Sequence, residues 1–255
     1  MGAVIAVAEA RKRQLRRGAW AAAGLLLFAG CEDSRGRAPL PPTAPSAVTA
    51  CLTAAGELTA DVNNDGYRDR VVDPSRVGAR LTITFGVGSA RETRAGVRAL
   101  ADRAGEHQQF VRAAVADFDG DGWTDLVVVA GGGQRGDDPI DPKISELRLG
   151  PFSDTGRGQR TVHLDMGAVK DIAVADNNQD RYPDLLAYTY SGDGVYETRA
   201  RLGDRTAGLT NDPHEYTDTA DGTGYDPPDD FLHAGPESFY PRCAAGDVTA
   251  VPDTA

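Results

Sequence analysis

Three stretches of the chain carry carboxylates and amides at alternate positions: Asp61, Asn63, Asp65 and Asp69; Asp117, Asp119, Asp121 and Asp125; Asp176, Asn178, Asp180 and Asp184. Oxygen donors at that spacing suit Ca2+, which takes roughly six to eight hard ligands at flexible geometry, and the backbone carbonyls of Tyr67, Trp123 and Tyr182 would complete the three sets. Gly66 and Gly122 fall where each loop must turn sharply and where positive φ is least costly. The third loop has Arg181 at that place, so it is expected to bind most weakly. The second loop carries four carboxylates and is expected to bind most tightly. An EF-hand opens with the same alternation but closes on a bidentate Glu, and the matching positions here are Val72, Val128 and Ala187, which read as strand residues. The competing reading is that Asp and Gly only mark polar hairpin turns. If metal does bind, the like charges repel without it, so carboxylate pKa values should rise and binding should contribute to folding.

The loops belong to a repeat. Thr59 to Val72, Val115 to Val128 and Val174 to Ala187 align without gaps, their leading aspartates 56 and 59 residues apart. Apolar or alternating stretches flank each copy, such as Phe110 to Ala116 before the second loop and Leu126 to Ala130 after it, which predicts strand, loop, strand. Further along each unit a second strand-like segment ends in glycine, at Gly86, Gly150 and Gly203, and in the middle unit another candidate follows at Arg160 to Leu164. Four short strands in a unit of this length is the size of a propeller blade.

These segments resemble FG-GAP or VCBS repeats, the calcium-loop blades of integrin α-chain propellers and of many secreted bacterial proteins. The resemblance covers roughly residues 51–205 and rests on the Asp-loop half of the motif; of the phrase that names the family only a remnant stands, at Phe85-Gly86-Val87-Gly88. It implies an all-β fold of propeller-type four-stranded blades, with repeats near 51–105, 106–165 and 166–205 and an irregular acidic fourth unit at 206–255. Three clear copies point to an incomplete or small propeller.

The first thirty residues have the parts of a secretory signal: basic residues from Arg11 to Arg17, then an apolar run from Ala19 to Phe28 too short to span a bilayer. The run ends in Leu27-Phe28-Ala29-Gly30-Cys31, which resembles the bacterial lipobox, with Phe28 where such families usually place Leu. Cys31 is accordingly expected to carry a lipid anchor, the alternative being an ordinary signal peptide cut nearby. Residues 31–50, with Pro39, Pro41, Pro42 and Pro45, read as an extended tether. The chain would be exported and held at the outer face of the cell membrane, or secreted. Loss of residues 1–30 takes away five basic residues and Glu9, moving the formal charge from -11 to -15. So acidic a chain argues against nucleic acid and favours cations as partners.

Cys51 and Cys243 remain as an even pair in an exported chain, which predicts a disulfide, with two separate thiols as the alternative. The sequences near them echo each other, AAGELTA at 54–60 and AAGDVTA at 244–250, which would set a C-terminal strand beside the first. The tail from 204 to 242 is acidic and reads as an irregular blade or insertion, or as a binding lid carrying Tyr216, Tyr225, Phe231, Phe239 and Tyr240. His107, His163, His214 and His233 have no metal-ligand spacing, and no nucleophile elbow or phosphate loop is present. The chain therefore reads as a non-catalytic binding or scaffold module, its ligand an extracellular glycan or protein. A glycan hydrolase or lyase using tail carboxylates such as Asp226 and Asp229, and a homo-oligomeric unit of a larger ring, are the alternatives.

Overall fold

Strand, turn, strand is repeated along nearly the whole described chain, because short runs of Val, Leu, Ile and Thr alternate with Gly- and Asp-rich turns. The computed structural model describes residues 37–133, 136–211, 226–229, 231 and 236–244. The basic and apolar leader, Cys31, Tyr216, Tyr225, His214 and His233 lie outside these residues, as does most of the 244–250 echo.

The fold is all-β. The first sheet runs in chain order through β1 (Cys51–Leu52), β2 (Leu58–Ala60), β3 (Asp69–Val72), β4 (Thr82–Phe85) and β5 (Thr93–Gly96). The short helices α1 (Val97–Leu100) and α2 (Asp102–Gly105) lead to the second, made of β6 (Phe110–Ala116), β7 (Asp125–Gly131), β8 (Ile144–Leu149) and β9 (Arg160–His163). The third holds β10 (Ala168–Ala175), β11 (Asp184–Gly192) and β12 (Val195–Arg201), followed by a small hairpin of β13 (Gly203–Asp204) and β14 (Gly208–Leu209). Neighbours are antiparallel throughout, and no sheet closes into a barrel. Among the described residues the middle sheet alone has the expected four strands; the first adds a two-residue edge strand and the third has three.

The sheets pack face to face, and the middle one is buried on both sides. Every residue of β7 is buried: Leu126, Val128 and Ala130 face a core shared with Ile83, Phe85 and Leu100, whereas Val127 and Val129 face one shared with Ile172, Leu185 and Met166. Side chains alternate across a strand, so a strand sandwiched between two sheets must be apolar at every position. Each large side chain so buried contributes roughly 1.5–3 kcal/mol. The outer face of the first sheet is polar instead. Arg70, Thr84 and Arg94 pair in one cross-strand row, and Arg94 donates to Thr82 Oγ1 at 3.2 Å, so this face ends the stack in water. At the other end Phe231 of the tail covers the outer face of the third sheet, fully buried among Ala173, Leu186, Tyr188 and Ala200.

Two polar devices stitch the sheets. Arg112 of β6 and Asp171 of β10 form an ion pair at 2.8 Å. The loop after β3 inserts between the same two strands, where the carbonyls of Gly78 and Val77 accept the amides of Ala113 (3.0 Å) and Ile172 (3.3 Å). Gly78 has φ of +75°, and a Cβ there would stand 2.7 Å from the Ala113 carbonyl oxygen, so only glycine fits.

Candidate functional site

Each Asp-rich loop joins two consecutive, paired strands of its sheet, β2 to β3, β6 to β7 and β10 to β11, and strand register fixes its ends. Ala60 pairs with Asp69, Ala116 with Asp125 and Ala175 with Asp184, so the last Asp of each loop opens the returning strand while the first follows the outgoing one directly. Asp69, Asp125 and Asp184 are fully buried. Each clasps one amide inside its loop and one on the strand-ending glycine, and Asp184 takes a third, longer one from Asn178 (3.4 Å). Asp125 accepts Phe118 N–H at 2.9 Å on Oδ2 and Gly150 N–H at 2.8 Å on Oδ1. Asp69 does the same with Val62 (2.8 Å) and Gly86 (2.7 Å), and Asp184 with Asn177 (2.7 Å) and Gly203 (2.8 Å). The three strand-ending glycines of the sequence are thus the anchors of the three loops. A Cβ on Gly150 would fall 2.0 Å from the Thr124 carbonyl oxygen, so a side chain there would displace the clasp.

The first Asp shapes the turn. Asp117 accepts the amides of Asp121 (3.1 Å) and Gly122 (3.0 Å), Asp61 those of Asp65 (3.1 Å) and Gly66 (3.0 Å), and Asp176 that of Arg181 (3.2 Å). Left-handed backbone recurs at two places per loop: Asn64 and Gly66, Gly120 and Gly122, Gln179 and Arg181. Sequence reading singled out only the second of each pair. Arg181 is held at φ +71°, the strained conformation its place in the repeat demands.

The second donor position separates the loops. Asn63 donates to Asp65 Oδ2 at 3.0 Å and Asn178 to Asp180 Oδ2 at 2.9 Å, so in these loops an amide tethers the neighbouring carboxylate. Asp119 has no such proton to give. Asp117, Asp119 and Asp125 instead bring carboxylate oxygens within 4.8 Å of one another, the one such trio of acidic, His or Cys side chains among the described residues. Three hard anionic donors around one point fit Ca2+. Asp121 stands outside the trio; its Oδ1 accepts Trp123 N–H at 2.8 Å, as Asp65 and Asp180 accept Tyr67 (2.9 Å) and Tyr182 (2.8 Å).

Burial is the first cause of raised pKa values here, with neighbouring carboxylates adding to it and backbone amides opposing it. Asp117 and Asp119 are pushed up to about 6, Asp69 to about 8, and Asp125 well above its ordinary value; Asp61 and Asp184 are raised as well. A raised acid pKa means that the metal-free fold binds protons more tightly than the unfolded chain. The contribution of Asp117 and Asp119 therefore favours folding below about pH 4 and is lost as pH rises through about 6. In chelator the melting temperature should fall between those limits, and calcium should reverse the trend by displacing the protons. A metal-free melting temperature that climbs over the same interval would show that the loops stabilise their carboxylates as anions.

Other segments meet the loops. Residues 37–50 form no strand or helix, yet the carbonyls of Leu40 and Ala44 accept Asn64 Nδ2 (3.3 Å) and Trp123 Nε1 (3.0 Å), and that of Pro39 accepts Gln159 Nε2 (3.1 Å). The Pro-rich segment, read from sequence as an extended tether, runs across the first two loops from residue 39 onward. The Tyr182 ring packs against Gly120, where a Cβ would stand 2.7 Å from it, so the second and third loops touch. From the tail, Tyr240 accepts the Asp117 amide on its hydroxyl at 2.8 Å. A disulfide joins Cys51 to Cys243. Of the residues named for the alternative lid reading, Phe231 is fully buried in the third core and Tyr240 packs, partly buried, against the first; Asp226 and Asp229 are exposed.

A cavity of about 500 Å³ lies among β2, β6, β10 and the loop after β3, with Glu57, Asp73, Arg76 and Glu237 as its charged lining. Among the described residues no His, Cys, Lys or Ser lines it, and Asp73 is spent on Ser75 and the Gly78 amide.

The FG-GAP repeat family model matches residues 111–139, the span of β6, the second loop, β7 and the turn beyond. Neither a curated protein nor a solved structure matches the chain.

Proposed function

We propose that this chain is a calcium-stabilised binding or scaffold module, exported and anchored to the cell surface through Cys31, whose blades present a ligand surface and do no chemistry. The observation that carries the metal reading is the convergence of Asp117, Asp119 and Asp125 within 4.8 Å. The FG-GAP match over that very loop supports a repeat or binding module. Asp117, Asp119 and Asp125 would hold the ion in the second loop with the Trp123 carbonyl and Asp121 near them, and the ion would neutralise charge that otherwise strains the turn. Loops one and three would bind more weakly, since their amide tethers already relieve that strain. The ligand class that suits an acidic exterior is a glycan or protein, and nucleic acid is disfavoured.

The polar outer face of the first sheet and the Phe231 cover of the third favour a capped stack over assembly into a larger ring. Loop position two tells the same story: Val62 and Phe118 are fully buried in the two cores between sheets, whereas the third copy places Asn177 there.

Thermal unfolding in calcium and in chelator tests the proposal. At calcium one hundred times Kd the second loop should add about 2.7 kcal/mol. That gain should vanish in an Asp117→Ala, Asp119→Ala double variant while any smaller gain from the first loop persists. Equal stability of the parent protein in both buffers would sink the reading and leave the loops as turns.

A further inference from the structure

We propose that Tyr240 is a positioning residue for the ion site of the second loop, and that the disulfide-bound C-terminal strap thereby sets that site's affinity. The inference rests on the calcium reading above. Asp117 is the first donor of the loop, and its backbone amide is held by the Tyr240 hydroxyl at 2.8 Å. No tyrosine takes the corresponding amides of Asp61 or Asp176 among the described residues, so the contact is peculiar to the loop that gathers the carboxylate trio. The phenol oxygen acts here as an acceptor, a role that phenylalanine cannot take over.

Tyr240 does not reach the loop from a neighbouring turn. It lies 123 residues further along the chain and is carried there by the strap at 236–243. That strap is fixed to β1, in the first sheet: Leu52 N–H donates to the Pro241 carbonyl at 2.8 Å, Cys243 N–H to the Leu52 carbonyl at 2.8 Å, and Arg242 Nη1 to the Thr53 carbonyl at 2.9 Å. The Cys51–Cys243 bond locks this pairing. The Tyr240 ring packs with the first core and edge-on to Phe239, with centroids 5.2 Å apart, so the hydroxyl cannot swing away without moving the strap. A covalent bond on the first sheet thus determines where the first metal donor of the second sheet sits.

Terbium, a calcium-sized luminescent ion, tests this in the full-length chain carrying Trp20→Phe, which leaves Trp123 as its one indole. Selective indole excitation then weights the signal toward the second loop, which carries Trp123. Tyr240→Phe keeps the ring and removes the hydroxyl, and it should move the terbium midpoint about tenfold toward weaker binding, the size expected for one well-placed hydrogen bond. A Cys51→Ser, Cys243→Ser variant, which keeps Tyr240 but frees the strap, should shift the midpoint in the same direction. A strap that served only as structure would lower the melting temperature and leave the terbium midpoint of both variants unchanged, which would overturn the inference. Absence of indole-sensitised terbium emission in the parent protein would instead overturn the calcium reading beneath it.

Discussion

Asp125→Ala is expected to destabilise the protein by about 4 kcal/mol in chelator, where no metal can account for the loss. Both carboxylate oxygens of Asp125 accept buried backbone amides, Phe118 N–H inside the loop and Gly150 N–H at the end of β8. Truncation leaves both donors without water or partner, and each such orphan costs roughly 1–3 kcal/mol. Asp125→Asn should not rescue the fold, because the new NH2 would meet one of the two amides head on. Asp119→Asn should behave differently. Asn already holds that position as Asn63 and Asn178 in the sister loops, tethering the next carboxylate, so this variant should keep metal-free stability and lose most of the calcium response. Urea unfolding of the three variants, with and without calcium, separates the roles. If Asp125→Ala were as stable as the parent in chelator, the clasp would be incidental and Asp125 would matter only as a ligand.

That division of labour was hidden in the sequence even though the residues were not. Alternation of donors identified all three loops, and the apolar stretch from Phe110 to Ala116 coincides with β6, because a strand buried on both faces writes its burial into consecutive residues. Gly86, Gly150 and Gly203 were visible as strand ends, but their tie to Asp69, Asp125 and Asp184 spans 17, 25 and 19 residues and follows from the paths of β4, β8 and β12. Local pattern does not encode that path. The two edge strands of the first sheet were missed for another reason: Cys51–Leu52 has two residues and Thr93–Gly96 has two exposed side chains, so neither carries a period. The contacts of Leu40, Ala44 and Tyr240 with the loops cross 24, 79 and 123 residues and rest on single hydrogen bonds, for which composition gives no signal.

Removing the Cys51–Cys243 bond by a double substitution with Ser should have the largest effect of any change made far from the loops, a loss of up to about 5 kcal/mol in the chain-entropy model. The bond spans 192 residues, so in the unfolded chain it restrains almost everything that folds, and the entropy it withholds grows with that span. In the native state it does a smaller, local task. The strap meets β1 through a single parallel bridge between Leu52 and Arg242 and three flanking hydrogen bonds, too few to hold a short terminal segment in place against its own freedom. Loss of the bond should therefore both lower global stability and let the strap detach first, ahead of the sheets. Hydrogen exchange distinguishes these effects: the Cys243 and Asp117 amides should lose protection well before those of β7. If instead stability fell by less than about 1 kcal/mol and the Asp117 amide stayed protected, packing of Tyr240 alone would be holding the strap, and the clasp would lie in the aromatic contact and not in the covalent bond.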